Sequence, residues 1–120
     1  MELLDQAESI PLAFSDRLRQ ALDRVAAFAD RVAAEAALET HARQAASALY
    51  HITSAILMTS EAARPGADAR RALYARLVLE HRLSVRDPLA PNEAAWEREA
   101  AEVLLAERCV SLDEIAKLLI

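Results

Sequence analysis

Residues 48–58, ALYHITSAILM, form the longest nearly apolar run of the sequence, and the rest of the chain is best interpreted outward from them. A helix turns by about 100° per residue, so this segment and its flanks place one apolar stripe along a helix. The stripe consists of Ala45, Leu49, Ile52, Ile56 and Ala63. A polar seam lies on the other side and consists of Arg43, Gln44, Ser47, His51, Ser54 and Glu61. A mostly buried helix with one narrow polar seam is typical of the core of a helical bundle.

The composition favours a single helical domain. The chain has 120 residues, which is enough for one packed core and leaves no room for a second. Apolar residues make up 54% and charged residues 28%, which excludes wholesale disorder. Alanine is abundant, whereas glycine occurs once and proline four times. This balance predicts helices that approach each other closely, and it gives almost no support for sheets.

Charge and cysteine content narrow the class of protein further. The formal net charge of −5 argues against a general nucleic-acid binder. Cys109 is the only cysteine, so no intrachain disulfide can form and a reducing compartment is expected. We expect Cys109, beside Val110, to behave as a small hydrophobic residue. No apolar run approaches 18 residues and the N-terminus begins acidic, so we expect neither a membrane span nor a secretory signal. These features predict a cytoplasmic protein.

Proline and glycine divide the first half of the chain. Residues 1–14 should form a short helix or an ordered arm interrupted at Pro11. Ser15 is a good N-cap for a long amphipathic helix that ends near Leu38. Residues 16–63 could form one helix, but that length exceeds the usual globular range, so we favour a break at residues 38–41. The central helix should end at Arg64, before the Pro65-Gly66 pair.

Three further helices follow in the second half. The third should run from Ala67 or Asp68 to Leu83, with apolar residues on two faces that contact neighbours on two sides. Asn92 should cap a fourth helix, and Ser111 opens a capping-box pattern before a short last helix. The predicted fold is therefore all-α, an antiparallel helical bundle of four main helices plus short terminal helices, in a single domain over residues 1–120.

The histidines and acidic residues do not form a recognisable metal site. A ferritin-like di-iron bundle carries Glu-x-x-His on two helices. None of His41, His51 and His81 has a glutamate three residues before it. Zinc has no better support, since the chain has one cysteine and widely spaced histidines. We predict no metal ligand.

The polar seam raises the question of catalysis. His51 shares the seam with Ser47 and Ser54, close enough for hydrogen bonds within one helix. A nucleophile–base pair oriented by Glu61 can be drawn from these residues, but a triad is recognised by geometry that the sequence does not provide. Hydroxyls and a histidine also satisfy one another where two helices cross. We therefore predict no catalytic residue.

Arginines are concentrated after the Pro65-Gly66 pair. The densest basic region consists of Arg70, Arg71, Arg76, Arg82 and Arg86. These positions do not form the single stripe that a phosphate-tracking surface requires, and Arg76 points well away from Arg71 and Arg82. An acidic set follows, made of Glu93, Glu97, Glu99, Glu102 and Glu107. The presence of both a basic and an acidic set favours a charge interface between helices, within or between chains, over an anion site. We do not expect nucleic acid as a partner.

Several short strings in residues 45–91 carry a family resemblance. They are ALYHITSA (48–55), EAAR (61–64), RR (70–71), ARLVL (75–79), HRL (81–83) and RDP (86–88). This region resembles the C-terminal helical region of bacterial acyl-CoA dehydrogenase-family flavoproteins, and in particular their adaptive-response, DNA-alkylation-response branch. Members of that family have an N-terminal helical domain, a middle β-domain that helps to hold FAD, and a C-terminal four-helix bundle. The present chain has only enough residues for the last of these.

The resemblance implies a limited function. No family glutamate base and no flavin-contacting segment is matched, so cofactor-binding residues remain unknown and FAD is expected only if other domains or subunits complete the site. The chain would be an excised terminal domain or a free-standing relative that kept the bundle. We predict a non-catalytic helical bundle that self-associates as a homo-oligomer or docks onto a partner protein, because the third helix has two apolar faces. The alternative is a fragment or subunit of an FAD-dependent enzyme of this family.

Overall fold

The computed structural model describes residues 2–90 and 95–120, and within these ranges its regular structure is helical, with no strand. The α-helices are α1 (Glu2–Asp5), α2 (Leu12–Ala34), α3 (Ala42–Ala62), α4 (Arg70–Val78), α5 (Ala95–Leu104) and α6 (Leu112–Ile115). Two 3-10 helices (Ala36–His41 and Ala116–Leu119) and one π-helical segment (Leu79–Leu83) complete the described structure. The all-α prediction is confirmed.

Helix α3 lies at the centre, as residues 48–58 predict. It packs against α1, α2, α4 and the π-helical segment. Ile52, Ala55 and Thr59 are completely buried on its inner side. The Thr59 hydroxyl donates a 2.8 Å hydrogen bond to the Ala55 carbonyl, so its polar group is satisfied inside the core.

The predicted stripe of α3 is wrong at one position. Ala45, Ile52 and Ile56 are buried, but Leu49 is 41% exposed. Leu49 lies at the edge of the stripe, about 60° from Ile52, and the buried side of α3 does not extend that far around the helix.

The structure of the N-terminal half corrects both predicted boundaries of the first long helix and shows the predicted break after it. Helix α2 begins at Leu12, directly after Pro11, whose carbonyl accepts the N–H groups of Phe14 (3.0 Å) and Ser15 (3.1 Å). Ser15 is therefore not an N-cap; it is buried one turn inside the helix. Helix α2 ends at Ala34, earlier than the predicted Leu38. A 3-10 helix fills the predicted break at residues 38–41, so one continuous helix over 16–63 is excluded.

The turn between α3 and α4 forms where Pro65-Gly66 predicts it. Gly66 has a φ of +75°, a left-handed conformation that side-chain-bearing residues rarely adopt. Helix α4 begins at Arg70, slightly later than predicted. At its start, the Asp68 carboxylate accepts a 3.1 Å hydrogen bond from the Arg70 N–H. The π-helical segment continues from α4 and ends at Leu83, the predicted end of the third helix.

The C-terminal segment folds back against α4. The Ala69 N–H donates to the Val110 carbonyl at 2.8 Å, and Ile115 and Leu119 are fully buried. Ser111 precedes α6 as predicted, but its side chain makes no capping hydrogen bond. The predicted cap Asn92 lies outside the described residues.

One hydrophobic cluster of buried residues extends from Leu4 to Leu119. The antiparallel four-helix arrangement stays a prediction. In the described part of the chain, none of the helices is long and apolar enough to cross a membrane.

Removing side-chain volume from the centre of α3 should be costly. Ile52 is fully buried, so we expect Ile52→Ala to lower the free energy of unfolding by about 2–5 kcal/mol through lost burial and a cavity. The exposed neighbour Thr53 provides the control, and Thr53→Ala should change the free energy of unfolding by less than about 0.5 kcal/mol. Urea denaturation of both variants measures the difference. An Ile52→Asp variant that folds with an unchanged melting temperature would refute the burial of this side.

Candidate functional site

The outer side of α3 exposes an uncharged and mainly apolar surface. Leu49, Tyr50 and Leu57 are 41%, 69% and 47% exposed. Ala46 and Thr53 are also exposed, and all five positions fall within about 100° around the helix. We call these five residues the α3 face. It contains no charged group, whereas the solvent side of a helix in a globular protein is normally charged or polar.

Charges stand only at the two ends of the α3 face. Arg43 lies near the start of α3 and Glu61 near its end, and α3 carries no Asp, Glu, Lys or Arg between them. Glu61 forms an ion pair with Arg71 of α4. Contiguous exposed apolar surface of this kind marks interaction sites more often than solitary exposed residues do.

The polar seam does not assemble the imagined catalytic set. His51 and Ser47 line a shallow cleft with Gln44, His81 and Arg82, whereas the predicted orienting acid is engaged by Arg71, as described above. The imidazole of His51 is half-buried and meets the Tyr50 ring edge-on, with the ring centroids 5.4 Å apart. The structure therefore places the histidine and Ser47 together but leaves the acid elsewhere.

Arg76 is the most unusual charged residue, since it is only 7% exposed. Its guanidinium donates to the Leu118 carbonyl and lies 3.9 Å from the centre of the Trp96 ring. Its Nε is 3.6 Å from Oε1 of Glu80, which is also paired with Arg17 at 2.6 Å. Burial lowers the pKa of the Arg76 guanidinium, and the Glu80 carboxylate acts against that shift.

Sequence reasoning placed Arg76 apart from the other arginines but did not predict its burial. The available signal was the Glu80 carboxylate four residues later, on the side of the helix where the neighbouring residues Ala72 and Leu79 are apolar. Trp96 and Leu118 come from distant parts of the chain. The cluster links α4 to α5 and to the C-terminal 3-10 helix, which indicates a structural role.

The predicted charge interface forms in part, with different partners. Arg86 and His81 both reach Oε1 of Glu97, at 2.9 Å and 2.8 Å. Arg70 instead donates to the carbonyls of Ala106 and Arg108. The predicted member Glu93 lies outside the described residues.

Two smaller predictions can be compared with the structure. Among residues 2–90 and 95–120, no group of three or more His, Cys, Asp or Glu side chains could hold a metal ion. Cys109 is exposed, so the expectation that it packs as a small hydrophobic residue is wrong. Its neighbour Val110 is fully buried in its place.

No protein-family model, curated protein or solved structure matches this chain significantly. The resemblance to the C-terminal region of acyl-CoA dehydrogenase-family proteins therefore stays a prediction, as does any requirement for FAD.

Removing the guanidinium of Arg76 should destabilise the fold. Arg76→Met keeps much of the side-chain volume but leaves the Leu118 carbonyl and the Glu80 carboxylate with fewer partners, so we expect a loss of about 3–5 kcal/mol. Arg71→Met is the matched control, because Arg71 is exposed and its ion pair with Glu61 contributes about 1 kcal/mol or less. Denaturant unfolding followed by Trp96 fluorescence reports both variants, since Trp96 is the only tryptophan. Equal losses in the two variants would contradict the distinction.

Replacing His51 should have little effect on stability. His51 is half-buried and meets Tyr50 through its ring edge, so His51→Gln and His51→Leu should each change the free energy of unfolding by less than about 0.5 kcal/mol. Thermal melts should be paired with an ester- and thioester-hydrolysis screen of the wild type. Turnover that disappears in His51→Gln while the melting temperature is unchanged would establish a catalytic histidine.

Proposed function

We propose that this chain is a non-catalytic association domain in which two copies contact each other through the α3 face. The observation that carries the proposal is the exposure of Leu49, Tyr50 and Leu57 on one uncharged side of the central helix. We further propose that α2, α3, α4 and α5 form an antiparallel bundle that holds this face rigid. The contacts of α3 with α2 and α4, and of α4 with α5, support that arrangement.

The energetics of the α3 face favour contact with another apolar surface. Burial of apolar area contributes about 25 cal/mol per Å², and the face contains no ion whose desolvation would oppose it. Tyr50 adds a large amphipathic side chain of the type enriched in protein interfaces. The face is set on a helix buried on its opposite side, so little conformational entropy is lost when a second copy binds.

The apolar surplus lies on α3 and not on α4, where the sequence placed it. Ala72, Leu73 and Ala75 are completely buried, and of the predicted apolar residues of α4 only Tyr74 is exposed. Helix α4 contacts α3 as well as α5 and the C-terminal 3-10 helix. Both of its apolar sides are therefore used within the chain, and the α3 face supports association better.

A charge placed in the α3 face should abolish self-association. The face lies on one helix about 31 Å long, so the dimer should be weak and populated at roughly 20–300 µM. Leu57→Glu should remain monomeric there, because a carboxylate would have to be desolvated on contact. Val85→Glu is the matched control, since Val85 is 99% exposed outside the face, and it should associate like the wild type.

Sedimentation equilibrium of the three proteins decides the proposal. A wild type that stays monomeric throughout the range would reject it. Equal association of the wild type and Leu57→Glu would also reject it, because contact would then occur through another surface.

A further inference from the structure

We propose that the two copies pair through α3 in an antiparallel orientation, with a two-fold axis close to residues 51 and 52. This inference rests on the proposed self-association and specifies its geometry. It is carried by a heptad pattern on the exposed side of α3. The pattern is Arg43, Ala46, Tyr50, Thr53, Leu57 and Ser60, spaced alternately by three and four residues.

The heptad pattern alternates large and small side chains. Arg43, Tyr50 and Leu57 occupy one set of positions, seven residues apart, and the small residues Ala46, Thr53 and Ser60 occupy the other. Five of the six are exposed and Ser60 is half-buried, so the stripe is accessible along the whole helix. Alternating positions of this kind form the contact line of paired helices.

Antiparallel pairing matches large side chains with small ones. When the residue numbers of facing positions sum to about 103, Tyr50 faces Thr53 of the second copy and Leu57 faces Ala46. The same register places Arg43 opposite Ser60, so all six positions are used. Large side chains packed against small ones fill the space between two helices without voids or overpacking. A parallel pair would set Tyr50 against Tyr50 and Ala46 against Ala46, which leaves gaps at every small layer.

The charges at the ends of the helix favour the same orientation. Arg43 and Glu61 lie on the same edge of the stripe and are separated by about 27 Å along the helix. Antiparallel pairing brings Arg43 of each copy beside Glu61 of the other, at both ends of the contact, so that the Glu61 carboxylate lies between Arg43 and Arg71 of its own chain. Parallel pairing would bring arginine to arginine and glutamate to glutamate. Like charges placed together in this way suppress an orientation.

A pair of opposite charges at facing positions tests the orientation. Ala46 and Leu57 are 11 residues apart, too far for a direct contact within one helix. Antiparallel pairing places them opposite each other twice in the dimer. We expect Leu57→Glu and Ala46→Lys to abolish association when each is present alone. The double variant Ala46→Lys/Leu57→Glu should regain dimers that are measurable within roughly 20–300 µM, where Leu57→Glu alone stays monomeric, through two lysine–glutamate pairs. Lysine and glutamate are long enough to extend their charged ends from the contact line to the water beside it, so roughly 0.5 M salt should reduce the gain.

Sedimentation equilibrium at low and high salt distinguishes the outcomes, with circular dichroism as the check that each variant stays helical. A salt-sensitive recovery in the double variant supports the antiparallel pair. A double variant no tighter than Leu57→Glu, from a wild type that does associate through the α3 face, overturns the antiparallel pair and leaves self-association standing. In that case a parallel pair would set the introduced lysines against each other. A monomeric wild type would remove both proposals together.

Discussion

Burial of one side of α3 is the constraint on which the remaining structure depends. Helices α1, α2 and α4 all pack on α3, and they cover the side that carries Ile52, Ala55 and Thr59. Small side chains allow this crowding, since Ala62 of α3 and Ala75 of α4 are also buried. Three neighbours on one side leave the other side of the helix uncovered. The α3 face is therefore a consequence of how the core is built, and a long alanine-rich helix can serve as both core and surface.

The buried Arg76 connects α4 with α5 and with the C-terminal 3-10 helix. Removing a guanidinium from water is costly, and the cost is offset only where ion pairs and hydrogen bonds replace the lost hydration. Here the ion pair is made with Glu80, one helical turn away. The Trp96 ring and the Leu118 carbonyl, from two distant segments of the chain, provide the other contacts. Because this interaction requires strict geometry, it favours one position of α5 and of the C-terminal 3-10 helix over other positions that would bury a similar apolar area.

Local signals in the sequence predict where the helices begin and end more reliably than they predict what is buried. Pro11 and Pro65-Gly66 delimit helices because proline and glycine act on the backbone nearby, whereas the break at residues 38–41 is expected from helix length alone. The same local reasoning placed a cap at Ser15, because a serine before an acidic turn has the right chemistry whether or not the helix has already begun. Leu49 shows the larger limitation. Helical periodicity gives the direction of a side chain, but the width of the buried side depends on how many helices pack there. The exposed α3 face could not be predicted for that reason.

The hydrogen bonds of the C-terminal segment have a consequence for the order of folding. Helices α2, α3 and α4 meet neighbours that follow closely in the sequence, whereas Arg76 and Leu118 are 42 residues apart. Closing a loop of that length lowers the entropy of the chain, and this cost is offset only when the contact is complete. Contacts between residues distant in the sequence therefore slow folding. During synthesis, α2, α3 and α4 are made before residues 110–119. The nascent chain should thus hold a partly open core, with the apolar side of α4 uncovered until residues 110–119 have been made and pack against it.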